Sequence, residues 1–415
     1  MTGLSGGAAT GGGPAPKRVI LVGRRPPAPS PSTGIPPAYN QRMQSVDVLV
    51  RGRGAVGASL ALSLAAQGLS VGMTGAPEAL RTDDVRTYAL NAASVALLTE
   101  LKIWDSLPTD ALSPVYDMVV SGDAAADQAA GRLSFSAWQQ GLRELAVIVD
   151  AAALDAQLAT ALRFSPHVHN VADGTPAVLM ALCEGRESAA RAALGVAFKP
   201  KPYGHRALAA RLSADQPHQG VARQWFQPGG EVLALLPFEK PVPGASYGLV
   251  WSCAEARAEQ LQAMPDADFE RELNAATSAA AGELKLGSER SSWPLALARA
   301  DAVSGAGWVL LGDAAHIVHP LAGQGLNLGL GDVAALARVL AQRESWRPLG
   351  DERLLRRYAR ERLAPTLAMG ELTDVLQRLF AHSSPAVQGL RNRGLDALNQ
   401  LTPVKRWLTQ RALGL

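Results

Sequence analysis

The sequence predicts an α/β fold: a doubly wound nucleotide-type sheet, a second mixed β-sheet inserted into it, and helices at the C-terminal end. Three observations predict it. A strand–turn–helix–strand signal begins at Val46, strand-like segments dominate the middle of the chain, and a second strand–glycine-loop–helix signal returns around Gly312.

Residues 1–45 are rich in Gly, Pro and Ser and read as a disordered extension; Met43, just before the first strand, makes an over-long start assignment the other reading. VILVG (19–23) is too short for the apolar region of a secretory signal. VDVLV (46–50) is a buried strand by its β-branched run, ASLALSLAAQGL (58–69) a helix and SVGM (70–73) a second parallel strand. RTYALNAASVALLTELKIWDSL (86–107) reads as a helix with Leu97, Leu98 and Leu101 on one face. LAVIV (145–149) is a strand before the helix DAAALDAQLATAL (150–162). Strand-like stretches follow to about 255, including VARQWFQ (221–227), EVLALLPF (231–238) and SYGLVWS (246–252). A helical pattern occupies 267–285, GWVLL (307–311) is a strand, 324–343 a helix, and 351–415 mostly helical and Arg-rich. The expected nucleotide-binding domain is thus discontinuous, 46–115, 144–200 and 290–345. The inserted sheet is 116–143 and 201–289, and the C-terminal helical region 346–415.

Hydrophobic content of 47% and charged content of 19% suit a globular protein. The net charge of +3 arises in the first 45 residues, where Lys17, Arg18, Arg24, Arg25 and Arg42 meet no acid. The remainder is near neutral, so nucleic acid is not an expected partner. Cys183 and Cys253 are the only cysteines, too few for a disulfide framework or a Cys-rich metal site. No uninterrupted apolar run approaches the ~18 residues of a membrane-spanning helix, and the cytoplasm is the expected location.

Gly52, Gly54 and Gly57 form GxGxxG between the first strand and its helix. The first glycine permits the tight turn, the second lets backbone approach a pyrophosphate, and the third lets helix and strand pack closely. A carboxylate for the ribose is expected about 20 residues on. Gly75 stands there, and Glu78, after Pro77, is the nearest acid. The second motif is GDAAHIVHPLAGQGLNLGLGD, Gly312 to Asp332. Asp313 follows a strand end, where a carboxylate can accept from sugar-alcohol hydroxyls. Gly323 and Gly325 precede a helix with Asn327 in its first turn, an end that favours an anionic ligand ring. His316 and His319 have a spacing open to metal ligands, but with no third ligand nearby they read as hydrogen-bonded loop histidines, and no metal is expected.

These motifs resemble those of the UbiH-type ubiquinone-biosynthesis hydroxylases, FAD-dependent aromatic monooxygenases similar in fold to p-hydroxybenzoate hydroxylase. The resemblance runs from about Val46 onward. RTYALNAASVALL (86–98) is similar to the family's Arg-x-x-Ala-Leu segment, CEGRESAARAALGV (183–196) to its Asp-Gly motif, and RNRGLDALN (391–399) to its C-terminal helices. It implies a Rossmann-like FAD-binding domain with an inserted substrate-binding sheet. It further implies that FAD binds along Gly52, Gly54, Ala55, Val56 and Gly57, near Arg86, beside the Val147 backbone, at Gly312 and Asp313, and along Gly323, Gln324, Gly325, Leu326 and Asn327. Pro320, Gly323 and Gln324 would shape the flavin region.

The implied chemistry is hydroxylation of a polyprenylated phenol in ubiquinone biosynthesis by O₂, through a flavin C4a-hydroperoxide. NAD(P)H or a redox protein would donate the electrons, since GxGxxG does not recur. A hydroxylase of a small soluble aromatic and a non-catalytic accessory subunit of a biosynthetic complex are the alternatives. No side chain is singled out to activate the phenol. Tyr203 and Trp225 are pocket-lining candidates, although ordinary core aromatics are the simpler reading. The basic tail VKRWLTQRALGL (404–415) either rests on the inner-membrane surface or is a packed helix with a solvated face. Gly75, Glu184 in place of Asp, and Arg53 in place of Gly depart from the family pattern. Weakened adenosine anchoring is therefore expected, to be tightened by Gly75→Glu.

Overall fold

A computed structural model describes residues 11–13, 45–75, 84–122, 131–318, 324–381 and isolated positions between 389 and 399. The chain divides into two compact units, Met1–Arg42 and Met43–Leu415. Of the first, only 11–13 are described, and all that follows concerns the second.

Three sheets organise it. The first has the order β16-β17-β9-β1-β2-β8. Its centre is β1 (Val46–Arg51), parallel to β2 (Val71–Thr74) on one side and to β9 (Ala177–Leu182) on the other. Beyond these lie β8 (Val168–Asn170), β17 (Trp308–Leu310) and β16 (Ser304–Gly305). Val48, Leu49 and Val50 are all buried, because a parallel sheet is covered on both faces. Helix α1 (Ala55–Ala66) is apolar nearly all round and correspondingly buried; it packs on α3 (Ala151–Phe164) and α7 (Gln324–Ala341). Helix α8 (Glu352–Ala381) packs on α7 and contributes Leu354, Leu355 and Tyr358 to the same core.

The second sheet is small and antiparallel: β3 (Thr87–Leu90), β7 (Ala146–Asp150) and β4 (Leu112–Val115). Here the sequence reading is corrected. Of the expected 86–107 helix, only Ala92–Glu100 is α-helical, as α2, with a single 3-10 turn at Trp104–Ser106. The Asn91 side chain accepts from the Ser94 N–H at 2.9 Å and caps the first turn, so the β-forming Thr87 and Tyr88 are released to pair with β7.

The third sheet is mixed, with the order β18-β15-β10-β13-β12-β11-β5-β6 and β14 beside β10. Its strands are β5 (Asp117–Ser121), β6 (Arg132–Ser136), β10 (Lys201–Ala214), β11 (Val221–Gln227), β12 (Glu231–Phe238), β13 (Ser246–Ala254), β14 (Leu284–Leu286), β15 (Ser291–Arg299) and β18 (His316–Ile317). β15 pairs with β10, so it joins the inserted sheet rather than the nucleotide-binding segments with which 290–345 was grouped. The 267–285 helical expectation also shortens. Positive φ at Ser278 and Ala279 ends α6 (Asp266–Thr277), and Leu284–Leu286 is strand. Helix α5 (Glu255–Ala263) precedes it. One face of the large sheet packs under α5 and α6 through Trp251, Leu261 and Phe269. The other face lies on the small sheet, Leu236 and Phe238 meeting Ala89 and Ile148.

Candidate cofactor site

The first glycine loop is built by close backbone approach. Gly52 has φ +106°, and a Cβ there would lie 2.2 Å from the Cys183 carbonyl oxygen. A Cβ on Gly57 would lie 2.2 Å from the Gly52 oxygen. Gly54 is different: a Cβ there meets nothing within 4 Å. It is the N-cap of α1, and no side chain caps that turn. The loop therefore presents open space in front of helix N–H groups, the arrangement an anionic pyrophosphate requires.

The second motif meets the first through Val56. A Cβ on Gly329 would come within 2.6 Å of Val56 Cγ2, and one on Gly312 within 3.2 Å of the same atom. Glycines on α7 and at the end of β17 thus let the first loop seat directly on the second motif. The turn Gly312–Ala314 is held from three sides. Its Gly312 N–H donates to Asp332 Oδ2 at 2.9 Å. Arg191 Nη1 donates to the Ala314 carbonyl at 2.9 Å, with the guanidinium 3.6 Å from the Phe198 ring centroid. His316 Nε2 lies 2.7 Å from Asp332 Oδ2, so this histidine is hydrogen-bonded, but from the short strand β18 rather than from a loop. Asp313 itself has open surface, yet burial outweighs the pull of His316 and Arg186 and raises its carboxyl above the usual carboxylate range. Tyr88 shares this environment: burial pushes its hydroxyl up to about 12.

The family departures at Arg53 and Gly75 prove to be one feature. Arg53 Nε donates to the Gly75 carbonyl at 2.9 Å, and its Nη2 donates to Asn170 Oδ1 at the end of β8. Glu184 is equally committed. It accepts from Arg51 Nε at 2.8 Å and from Ser188 Oγ at 2.5 Å, tying β1 to the start of α4 (Ala189–Ala193). Burial alone would raise its carboxyl, but the Ser188 and Arg51 hydrogen bonds hold it below its usual value.

Asn327 is buried, and its side chain serves the protein. Oδ1 accepts from the Asn91 N–H at 3.0 Å and from Ser94 Oγ at 2.7 Å, while Nδ2 donates to the Ala89 carbonyl at 2.8 Å. It clamps the first turn of α7 to the β3–α2 junction. Asn327→Ala is expected to lower stability by at least about 2 kcal/mol, because it orphans buried backbone and hydroxyl groups; urea unfolding of the variant measures it.

Arg86 is engaged by Asp84, with Nε and Nη2 within 2.9 and 2.6 Å of its carboxylate. That pairing raises the guanidinium pKa further, and a phosphate would have to compete with Asp84. Val147 lies in the middle strand of the small sheet, paired to both Leu90 and Pro114, so its strand has no free edge for an adenosine. Trp225 packs with the helix-side core, as the simpler reading had it, and Tyr203 is half-buried on β10. Gly325 and Leu326 are half-buried in the first turn of α7. Gln324 is placed only as the first residue of α7, and Glu78, His319, Pro320, Gly323 and the 404–415 tail lie outside the described residues.

Sequence reading missed the partners that hold these motifs: Asp332, Arg362, whose Nε donates to Asp332 Oδ1, Arg191, Asn91 and Ser94. A signal existed for one of them, because Asp332 is the sole Asp, Glu, Lys or Arg between Ala314 and Ala337.

The FAD binding domain family model matches residues 45–371. The chain belongs to this family. It is 31% identical to the ubiquinone hydroxylase UbiL of Rhodospirillum rubrum, over 96% of this chain and 95% of the relative. It is 28% identical to the 3-demethoxyubiquinol 3-hydroxylase of Escherichia coli, over 90% of this chain and 99% of that one. Among solved structures, PqsL of Pseudomonas aeruginosa is similar with a TM-score of 0.68 at 20% identity, over 85% of this chain and 99% of PqsL. The p-nitrophenol 4-monooxygenase PnpA of Pseudomonas putida is similar with a TM-score of 0.67 at 18% identity, over 89% and 98%. These likenesses show the fold.

The residues present fit FAD along most of its length. The open face at Gly54 and the α1 N-terminus suit the pyrophosphate, and the exposed Asp313, just past β17, suits the ribityl hydroxyls. The α7 end joined to them by Val56 suits the ring. The adenosine ribose end departs, since a guanidinium reaches the place of the expected carboxylate.

Proposed function

We propose that the chain is an FAD-dependent monooxygenase that hydroxylates the aromatic ring of a polyprenylated phenol in ubiquinone biosynthesis. The observation that carries the flavin part is Val56 seated against Gly312 and Gly329, which makes one site of two distant motifs. Similarity to UbiL over nearly the whole of both chains supports the substrate class.

Bound FAD would supply the two-electron chemistry that activates O₂ for insertion of one oxygen atom into the ring. The chain's own part is to bind, orient and exclude water. Asp313 would fix the ribityl chain, and the first turn of α7 would stabilise negative charge on the ring. On the large-sheet face that carries Leu236 and Val250, the strand register sets Ala207 beside Ser252, and Ala209 and Ala234 on either side of Val250. A polyprenyl tail is too apolar for free water, so contact with a lipid surface is part of the proposal. Among the described residues, no helix is long and apolar enough to cross a membrane.

The test is product analysis with protein that carries the flavin band at about 450 nm. Given a reductant and a polyprenylated phenol in detergent micelles, the phenol is expected to gain one oxygen by mass spectrometry. Flavin-loaded protein that oxidises the reductant without oxygenating the ring would overturn the assignment.

A further inference from the structure

In βαβ dinucleotide sites an acid at the end of the second strand accepts from the ribose hydroxyls. Here that place is Gly75, one residue beyond β2, with φ +98° and nothing within 4 Å of where a Cβ would be. Into this place reaches Arg53, from the position between the first two motif glycines. Its Nε is fixed on the Gly75 carbonyl and its Nη2 on Asn170 Oδ1. Met73 and Asn170 are register partners, so the guanidinium spans the ends of two adjacent parallel strands. Those two bonds use only part of its donor fork, and the rest remains at the sheet's carboxyl edge. Asp173, three residues past Asn170, is paired at 3.4 Å with a different arginine, Arg51.

We infer that Arg53 holds the adenosine ribose in place of the strand-end carboxylate, making this a cationic subsite that prefers a phosphorylated ribose to a bare one. A guanidinium donates where a carboxylate accepts. Ribose hydroxyl oxygens can receive those bonds, and a 2′-phosphate receives them as a bidentate, charge-assisted pair. A strand-end carboxylate would repel the same phosphate. The inference rests on FAD binding across the two motifs, and it also changes the expectation for Gly75→Glu. A side chain at φ +98° is strained, and its carboxylate would meet Arg53 before any ribose.

The experiment is displacement of FAD from the full-length protein, read by flavin fluorescence, with ADP-ribose and 2′-phospho-ADP-ribose as competitors. FAD binding by the unaltered chain tests the underlying reading by itself. The phosphorylated fragment is expected to compete at about tenfold lower concentration, the scale of one charge-assisted hydrogen bond. Arg53→Ala removes that preference and weakens FAD about tenfold, Arg53→Lys restores part of the preference, and Gly75→Glu abolishes it without tightening FAD. A purely structural role for Arg53 would shift both fragments equally. The inference is overturned if the preference is the same in Arg53→Ala as in the unaltered protein, if neither fragment displaces FAD, or if Arg53→Ala tightens FAD.

Discussion

Asp332→Asn is expected to cost about 3–5 kcal/mol of stability, the range for breaking a buried ion pair from one side, and to reduce bound FAD. Asp332 is 1% exposed. Its Oδ1 accepts from Arg362 Nε at 2.6 Å, and its Oδ2 accepts from the Gly312 N–H and lies against His316. The amide is nearly isosteric, so the variant removes charge rather than volume. It leaves the largely buried Arg362 guanidinium uncompensated and loosens the turn that aims Asp313. The pH dependence has a definite sign. Burial alone would raise the Asp332 carboxyl, but His316, Arg362 and the Gly312 N–H outweigh it, and it lies below its ordinary 3.8. A carboxyl depressed by folding contributes stability that is full above its unfolded value and is lost as pH falls through its folded value. Unfolding free energies at a series of pH values are therefore expected to fall more steeply below pH ~4 in the unaltered protein than in Asp332→Asn. Parallel acid limbs would show that Asp332 is not held as described.

Local pattern was enough wherever a segment's periodicity and its burial agree. The strands Val221–Gln227 and Glu231–Phe238 were legible to the residue, and so was the start of α7 at Gln324. Both glycine motifs were legible as well, because close approach and helix N-termini demand particular residues at particular spacings. The helix expected over 86–107 failed at Asn91, where a side-chain cap competes with the helix pattern. Helix α5 went unseen because EARAEQLQA buries only Ala258 and Leu261 and carries little apolar signal. The pairings that complete the site join residues far apart in sequence, as Asn327 with Asn91 and Ser94, or Arg53 with Gly75 and Asn170. No spacing rule reaches across such distances. The departures at Arg53 and Gly75 were visible singly, but only the structure shows that one fills the place the other leaves.

The glycine loop allows folding and binding to be separated by two single methyl groups. Gly52→Ala is expected to cost at least about 4 kcal/mol, from a positive-φ penalty of about 1–3 kcal/mol added to a backbone collision. The new Cβ would lie 2.2 Å from the Cys183 oxygen and 2.5 Å from its carbonyl carbon. Neither atom can easily retreat, since the Cys183 N–H donates to the Arg51 carbonyl at 2.7 Å and the neighbouring Leu182 carbonyl accepts from the Leu311 N–H at 3.0 Å. Poor recovery of soluble protein and a lowered urea midpoint are the expected measurements. Gly54→Ala should do the opposite. Gly54 has φ −63°, and its Cβ meets no protein atom within 4 Å, so stability is expected to stay within about 1 kcal/mol of the unaltered chain. FAD affinity is expected to fall at least tenfold, because the methyl would stand in the space through which the pyrophosphate reaches the α1 N-terminus. Fluorescence titration of the stable Gly54→Ala protein isolates that contact from the fold. Unchanged FAD affinity in this variant would mean that the pyrophosphate does not lie against Gly54, and the orientation assigned to the cofactor along the first motif would have to be redrawn.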